Sequence, residues 1–169
     1  MIFKGIKKMT KFLRNEKGTS IVEFAFVAIL VFGLLFAIVD LGMMFYVNLT
    51  MQNAVREGVR YAITGSSDLD LGGVAASVRT KIRNSSVGLC DRDRCPNNKI
   101  HFFVLQSGVP VAIPPESLGV GGPGDIMVIR VDYSWPLLTP LLRPFFPNGN
   151  YNFTVGATMR NEPFPVSGG

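Results

Sequence analysis

The carboxyl group of Glu23 is the first place in this chain where chemistry can be expected, because the sequence around it is apolar from Ile21 to Val39. A charged side chain in a bilayer costs about 2.5–3.5 kcal/mol at the centre and less near the edge. Such a charge is tolerated when it pairs with a cation on a neighbouring helix, or when its stem lets it reach the headgroups. Both interpretations of Glu23 stay open at this point.

Cys90 and Cys95, the two cysteines of the chain, enclose four alternating acidic and basic residues. In an oxidising compartment this spacing favours a small disulfide-closed loop. A metal site is not expected, since His101 is the only histidine and no second cysteine pair completes four ligands. Asp91 and Asp93 lack the following ligands and turn glycine of an EF-hand. No cofactor is therefore expected.

No catalytic arrangement is visible in the sequence. His101 lies in a strand-like segment, and no nucleophile-elbow sequence accompanies it. The glycine-rich stretch 119–124 lacks the Lys-Ser/Thr of a phosphate-binding loop and is typical of a flexible turn. We therefore expect a protein that is not an enzyme.

The positive charge of the chain is concentrated before the apolar run. Six basic residues oppose only Glu16 in the first 18 positions, which gives +5, the net charge of the whole chain. They are Lys4, Lys7, Lys8, Lys11, Arg14 and Lys17. The rest of the chain is neutral, and a nucleic-acid-binding domain would carry the excess itself. Nucleic acid is therefore not an expected partner.

A basic segment before an apolar one predicts that the N-terminus stays in the cytoplasm and that the residues after Asp40 cross the membrane. At 1.5 Å per residue, Ile21 to Val39 spans about 28 Å, close to the ~30 Å hydrocarbon core. A cleaved secretory signal is the main alternative, but its apolar part is shorter and ends in a small-x-small site, which is not found after Val39. A lipid-embedded anchor is preferred.

Helical periodicity continues beyond the apolar run. Apolar residues recur at steps of three and four from Val47 to Ala62, which predicts one helix of about 45 residues whose outer half packs on its own domain. Gly65-Ser66-Ser67 is expected to end it. A second helix is predicted from Asp70 to Asn84, capped by Asp68 or Asp70.

The second half of the chain favours β-strands. Alternating or β-rich segments predict strands over 99–106, 125–135 and 151–159, with a short edge strand over 109–113 that can accommodate Pro110. The loop Pro136–Gly149 combines prolines with several apolar side chains. It either folds back over the sheet or docks on a partner or on the membrane surface.

Several motifs together resemble the TadE-like family, the pseudopilins of the tight-adherence (Tad, or Flp) pilus machinery. They are GTSIVEF at 18–24, the apolar run with DLG at 40–42, QNAVREGVRYA at 52–62 and the closing ATMRNE at 157–162. The resemblance covers residues 17–65 well, and the cysteine-containing middle is less diagnostic.

The resemblance implies that a prepilin peptidase cuts between Gly18 and Thr19, so that Glu23 becomes the fifth residue of the mature chain. Glu23 and Phe24 would act in recognition and assembly. The expected partners are that peptidase, other Tad pseudopilins, inner-membrane assembly proteins and the lipid bilayer. About 100 residues beyond the helix argue for a minor subunit rather than a major pilin.

These observations predict an α+β protein with a long N-terminal membrane-spanning helix and a pilin-like head in which a helix packs on an antiparallel sheet. The expected division is a cleaved leader (1–18), a transmembrane and projecting helix (19–65) and a periplasmic head (66–169). Four helix residues form a possible interface: Asp40, Arg56, Glu57 and Arg60. The alternative is an unprocessed, signal-anchored periplasmic binding or sensor protein.

Overall fold

A computed structural model gives the architecture and describes residues 16–64, 72–114 and 119–163. The elements in chain order are α1 (Glu16–Ile63), α2 (Val74–Ser85), β1 (Ile100–Gln106), β2 (Val109–Ile113), β3 (Ile126–Pro136) and β4 (Asn150–Arg160). The predictions for the leader up to residue 15, for Gly65-Ser66-Ser67 and for the division after residue 65 fall outside the described residues.

The predicted continuous helix is confirmed as α1, which is 48 residues long. At 1.5 Å per residue it extends for about 70 Å, more than twice the thickness of a bilayer core. Its C-terminal end is tied to the end of the chain, since the backbone N–H of Glu162 donates to the carbonyl of Ile63 at 3.0 Å. The closing motif at 157–162 therefore lies against the outer end of α1.

The second helix begins later than predicted, at Val74 rather than Asp70. Gly73 is its N-cap residue, and no side chain makes a capping hydrogen bond there. Asp68 and Asp70, the residues predicted to cap this helix, lie outside the described residues. The hydroxyl of Ser77 donates to the Gly73 carbonyl at 3.0 Å, within the first turn.

The four strands form one antiparallel sheet in the order β2-β1-β3-β4. β2 lies at the edge, as Pro110 predicted. β3 and β4 pair along their whole length, from Ile126 opposite Arg160 to Pro136 opposite Asn150. The connection between them, residues 137–149, is called the proline-rich loop below. The loop follows the C-terminal end of β3. Val109 pairs with Gln106 at the opposite end of the sheet, where β3 begins, and is therefore remote from the loop.

The core lies between the helices and one face of the sheet. The outer half of α1 contributes the predicted stripe, and α2 adds Ala75, Val78 and Ile82. The alternation predicted for β3 is also confirmed by burial of Met127, Ile129, Val131 and Tyr133. The buried α1 residues are Val47, Met51, Ala54, Val55, Val59 and Ala62. The fold is α+β, as predicted.

Gly58 of α1 lies directly against the Ile82 side chain of α2. A Cβ atom added there would lie 2.3 Å from Cγ1 of Ile82, a distance that side chains do not adopt. Gly42, on the same helix, has no atom within 4 Å of such a position. The glycine at 58 therefore permits packing, whereas the glycine at 42 has no such role among the described residues.

Gly58→Ala should destabilise the head, because α2 must move away from α1 or Ile82 must leave its rotamer. Overpacking of this kind costs about 1–3 kcal/mol, and the better helix propensity of alanine offsets about 1 kcal/mol. Thermal unfolding in detergent should show a lower Tm for Gly58→Ala and an unchanged or higher Tm for the control Gly42→Ala. Equal Tm values for the two variants would contradict this account of the helix contact.

Candidate membrane anchor and assembly surface

The N-terminal half of α1 has the properties of a membrane span. Within Ser20–Ile63 the most apolar 18-residue window has a mean hydropathy of 2.8, and none of it is buried. Ile21, Phe24 and Leu30 are each 70% exposed or more. A helix of this length in a soluble core would be covered by other elements. In the part of the chain that the structure describes, this one helix is suited to crossing a membrane, which indicates single-pass anchoring.

Glu23 and Phe24 project from this span without cover. Both side chains are exposed, Phe24 by 73%. Glu23 makes no hydrogen bond or ion pair with another described residue. A carboxylate in this position needs a headgroup or a cation outside the residues that the structure describes. The two interpretations made from the sequence both remain predictions.

The predicted processing bond between Gly18 and Thr19 lies within the first turns of α1, which begins at Glu16. Glu23 follows Thr19 by four residues, so one turn of helix separates them along the axis. If two such helices pack side by side and one is shifted by one turn along the axis, the α-amine of Thr19 in one helix lies at nearly the same membrane depth as the Glu23 carboxylate of the other.

Asp40, at the end of the apolar run, is buried, with 1% of its surface exposed. Its carboxylate accepts hydrogen bonds from the backbone N–H of Leu138 at 3.0 Å and of Thr139 at 3.3 Å. The hydroxyl of Thr139 donates to the second oxygen. Because a buried charge is tolerated only when it is hydrogen-bonded, these donors explain the acid at this position. Asp40 is therefore engaged by the proline-rich loop of its own chain.

Arg56, Glu57 and Arg60, the other residues of the predicted interface, are exposed on the outer half of α1. Glu57 and Arg60 line a shallow depression of about 300 Å³ together with Lys81 of α2. The described ion pairs do not include one between Glu57 and Arg60. The surface is polar and accessible, and its use as an interface stays a prediction.

Cys90 and Cys95 form a disulfide, as predicted. Both sulfur-bearing residues are buried, and the loop between them turns back through a hydrogen bond from the Cys95 N–H to the Asp91 carbonyl. The Asp91 carboxylate accepts the Arg94 N–H at 2.7 Å, which shows that this acid stabilises the turn. The loop is attached to the sheet because the Tyr133 hydroxyl donates to the Leu89 carbonyl at 2.6 Å.

Two arginines of α2 join the helix to the disulfide loop and the sheet. Arg79 is 4% exposed and stacks over the ring of Phe102 at 4.8 Å. Arg83 donates to the Cys95 carbonyl at 2.8 Å and to the Asn97 amide oxygen at 2.9 Å. Burial lowers the pKa of both guanidinium groups, and the charge of Arg83 lowers the pKa of Arg79 further. With Arg92 they line an open cavity of about 440 Å³.

His101, the only histidine, lies on the exposed face of the sheet. Its Nε2 is 3.1 Å from a carboxylate oxygen of Asp132, and the Thr154 hydroxyl donates to the other oxygen at 2.6 Å. Thr154 thus contacts the carboxylate and not the imidazole, so the three do not form a nucleophile–base–acid sequence. Among the described residues no three metal-binding side chains of His, Cys, Asp or Glu come together.

The sequence did not indicate that Thr139 is a partner of Asp40, or that Arg79 and Arg83 link α2 to the disulfide loop and the sheet. The Asp40–Thr139 contact joins residues 99 positions apart, and no local pattern encodes such a pairing. The only usable signal was Asp40 itself, because an acid directly after an apolar run requires a hydrogen-bond donor. Nothing in the sequence around Thr139 indicated that it would be that donor.

Comparison with protein-family models gives a match to the TadE-like protein family over residues 18–60. Comparisons with curated proteins and with solved structures give no match. The matched segment begins at Gly18 and includes Glu23, Asp40, Gly58 and the buried stripe of α1. The chain therefore carries the TadE-like segment that its motifs predicted, and this segment relates it to the Tad pilus.

Proposed function

We propose that this chain is a minor pseudopilin of the Tad pilus machinery, anchored in the bacterial inner membrane by α1 with its head in the periplasm. The observation that carries the proposal is the TadE-like match starting at Gly18. It coincides with a helix whose most apolar window has no buried residue. Such a helix is available to lipid and to neighbouring helices in an assembly.

The role proposed is structural rather than catalytic. A prepilin peptidase is the expected processing enzyme, and other Tad pseudopilins and inner-membrane assembly proteins are the expected partners. The positive leader supports a cytoplasmic N-terminus. A periplasmic head would lie in an oxidising compartment, which agrees with the disulfide between Cys90 and Cys95.

Processing between Gly18 and Thr19 is expected to remove about 2 kDa from the chain, since the leader is 18 residues long. Intact mass and N-terminal peptide mapping should be compared in cells with and without the prepilin peptidase. Thr19 should be the first residue only when the peptidase is present, and Gly18→Ala should slow the conversion. Retention of Met1 in cells that assemble the pilus would rule out this processing.

An unprocessed, membrane-anchored binding protein is the second candidate function. Its support is the cavity lined by Arg79, Arg83 and Arg92, whose positive charges favour an anionic ligand. The N-terminal mapping distinguishes the two functions, because a binding protein of this kind would keep its leader.

A further inference from the structure

The proline-rich loop (residues 137–149) contacts the apolar half of α1. Leu138 and Thr139 are held by Asp40. Farther along the loop, the Cδ2 atom of Leu141 is 3.8 Å from the position that a Cβ of Gly33 would occupy. Gly33 lies within the apolar run, so the loop extends from the end of that run back toward its middle.

The depth of this contact follows from helix geometry. Gly33 precedes Asp40 by seven residues, which corresponds to about 10 Å along the axis toward the membrane centre. Segments that lie in the membrane interface bury their apolar side chains about 5–10 Å into the boundary between headgroups and acyl chains. If α1 crosses a bilayer with Asp40 at the headgroups, the loop reaches that boundary.

The backbone of the loop suits a medium with little water. Three of its thirteen residues are prolines, which have no N–H group to satisfy. Of the ten remaining N–H groups, six donate to acceptors in this chain. They belong to Leu137, Leu138, Thr139, Phe145, Phe146 and Gly149. An unsatisfied backbone donor in hydrocarbon costs several kcal/mol, and the prolines together with these bonds reduce the number of such donors to four.

The side chains of the loop are apolar where they are open. Leu138 is 51% exposed, Leu141 45% and Phe145 79%. Arg143 is the only ionisable residue of the loop, and it donates to the Leu137 carbonyl at 3.0 and 3.2 Å. An exposed apolar surface next to one cation, with no acid among the loop's own residues, matches the acyl chains and phosphates of a lipid leaflet.

We propose that the proline-rich loop is a second membrane contact, which inserts Leu138, Leu141 and Phe145 into the leaflet on the head side of the span. The loop would fix the tilt and rotation of the head relative to the bilayer, because Asp40 connects it rigidly to α1. This inference rests on α1 crossing the membrane, and it is independent of processing at Gly18. The occupant of the apolar surface is lipid rather than a second copy of the chain, since the surface continues that of the span itself.

The test is quenching of a single tryptophan by lipids brominated on the acyl chains. The full chain carries Trp135→Phe as background and is reconstituted in phosphatidylcholine–phosphatidylglycerol vesicles with Phe145→Trp. Phe36→Trp, in the apolar run, is the control for insertion. Val109→Trp, which replaces a side chain that is 62% exposed at the remote end of the sheet, is the control for solvent. Phe145→Trp should lose fluorescence to brominated lipid as Phe36→Trp does, while Val109→Trp should not.

Each other outcome overturns the proposal in an identifiable way. Phe145→Trp that responds only to aqueous acrylamide would place the loop in water. Protection from both bromine and acrylamide would indicate a second copy or another protein on the loop. If Phe36→Trp also resists bromine quenching, α1 is not inserted, and the anchoring on which the proposed function depends fails together with this inference.

Discussion

Asp40→Ala is expected to release the proline-rich loop from α1 and to speed amide hydrogen exchange in residues 137–146 by about 100-fold. The substitution removes the acceptor of two backbone N–H groups and of the Thr139 hydroxyl. Hydrogen bonds to a charged group contribute about 1.5–3 kcal/mol each, and buried donors left without a partner carry a further penalty. A loss of about 3 kcal/mol corresponds to a 100-fold higher population of the open loop, since each 1.4 kcal/mol is tenfold.

Two variants make this prediction specific to the carboxylate. Asp40→Asn keeps one carbonyl acceptor, so the loop should exchange at a rate between that of the wild type and that of Asp40→Ala. Asp132→Ala removes an exposed acid that bonds Thr154 on the sheet, and the loop should exchange at the wild-type rate. If Asp40→Ala exchanges no faster than Asp132→Ala, the buried carboxylate does not hold the loop.

The periodic elements could be predicted from the sequence because their signals are local. The stripe from Val47 to Ala62 identified the buried face of α1, and alternation identified the inner face of β3. Pro110 identified the edge strand. For the helix and for β3, the apolar residues that form the sequence pattern are the same residues that the element buries. Their type and spacing are therefore sufficient to predict the element and its inner face.

The start of α2 was predicted wrongly for a physical reason. Asp68 and Asp70 are good capping residues, but capping preference is worth about 1 kcal/mol and does not determine where tertiary packing begins. Gly72 and Gly73, both at positive φ, turn the chain so that Val74 and Ala75 meet the core. The helix starts where this turn ends.

The connections between distant segments could not be predicted. Asp40 and Thr139, or Gly58 and Ile82, are far apart along the chain, and their meeting depends on the complete topology. The motif at 52–62 contains Gly58, yet only the distance to Ile82 shows that this glycine is required for packing. The proline-rich loop was expected to fold back over the sheet or to dock on a partner or on the membrane surface, and no local pattern indicated that Asp40 would hold its first residues against α1.

Glu23 differs from Asp40 in having no partner among the described residues, and this contrast is the basis for the second large effect. Asp40 is surrounded by donors, whereas the exposed Glu23 makes no hydrogen bond or ion pair with another described residue. Processing would create a cation at Thr19, since a free α-amine is largely protonated at neutral pH. In packed helices of low dielectric constant, that amine and the Glu23 carboxylate of a neighbour would attract strongly.

Glu23→Gln is therefore expected to abolish pilus assembly while leaving the subunit in the membrane. Glutamine keeps the size and hydrogen-bonding capacity of the side chain, and loss of the charge lowers the cost of insertion. The neighbouring amine then stays unpaired among packed helices, and removal of one partner of a buried ion pair costs about 3–5 kcal/mol. Each 1.4 kcal/mol is a factor of ten, so partner recovery should fall at least 100-fold.

The measurement compares the membrane level of the subunit with pilus number and with co-purification of partner pseudopilins. Glu162→Gln provides the matched control, because it makes the same chemical change at an exposed site in the head. This control should assemble normally. If Glu23→Gln also gives normal piliation and partner recovery at a normal subunit level, the carboxylate reaches the cytoplasmic headgroups and the pairing mechanism is wrong. If assembly is lost while processing at Thr19 is retained, the peptidase still recognises the variant. The defect then lies in helix pairing.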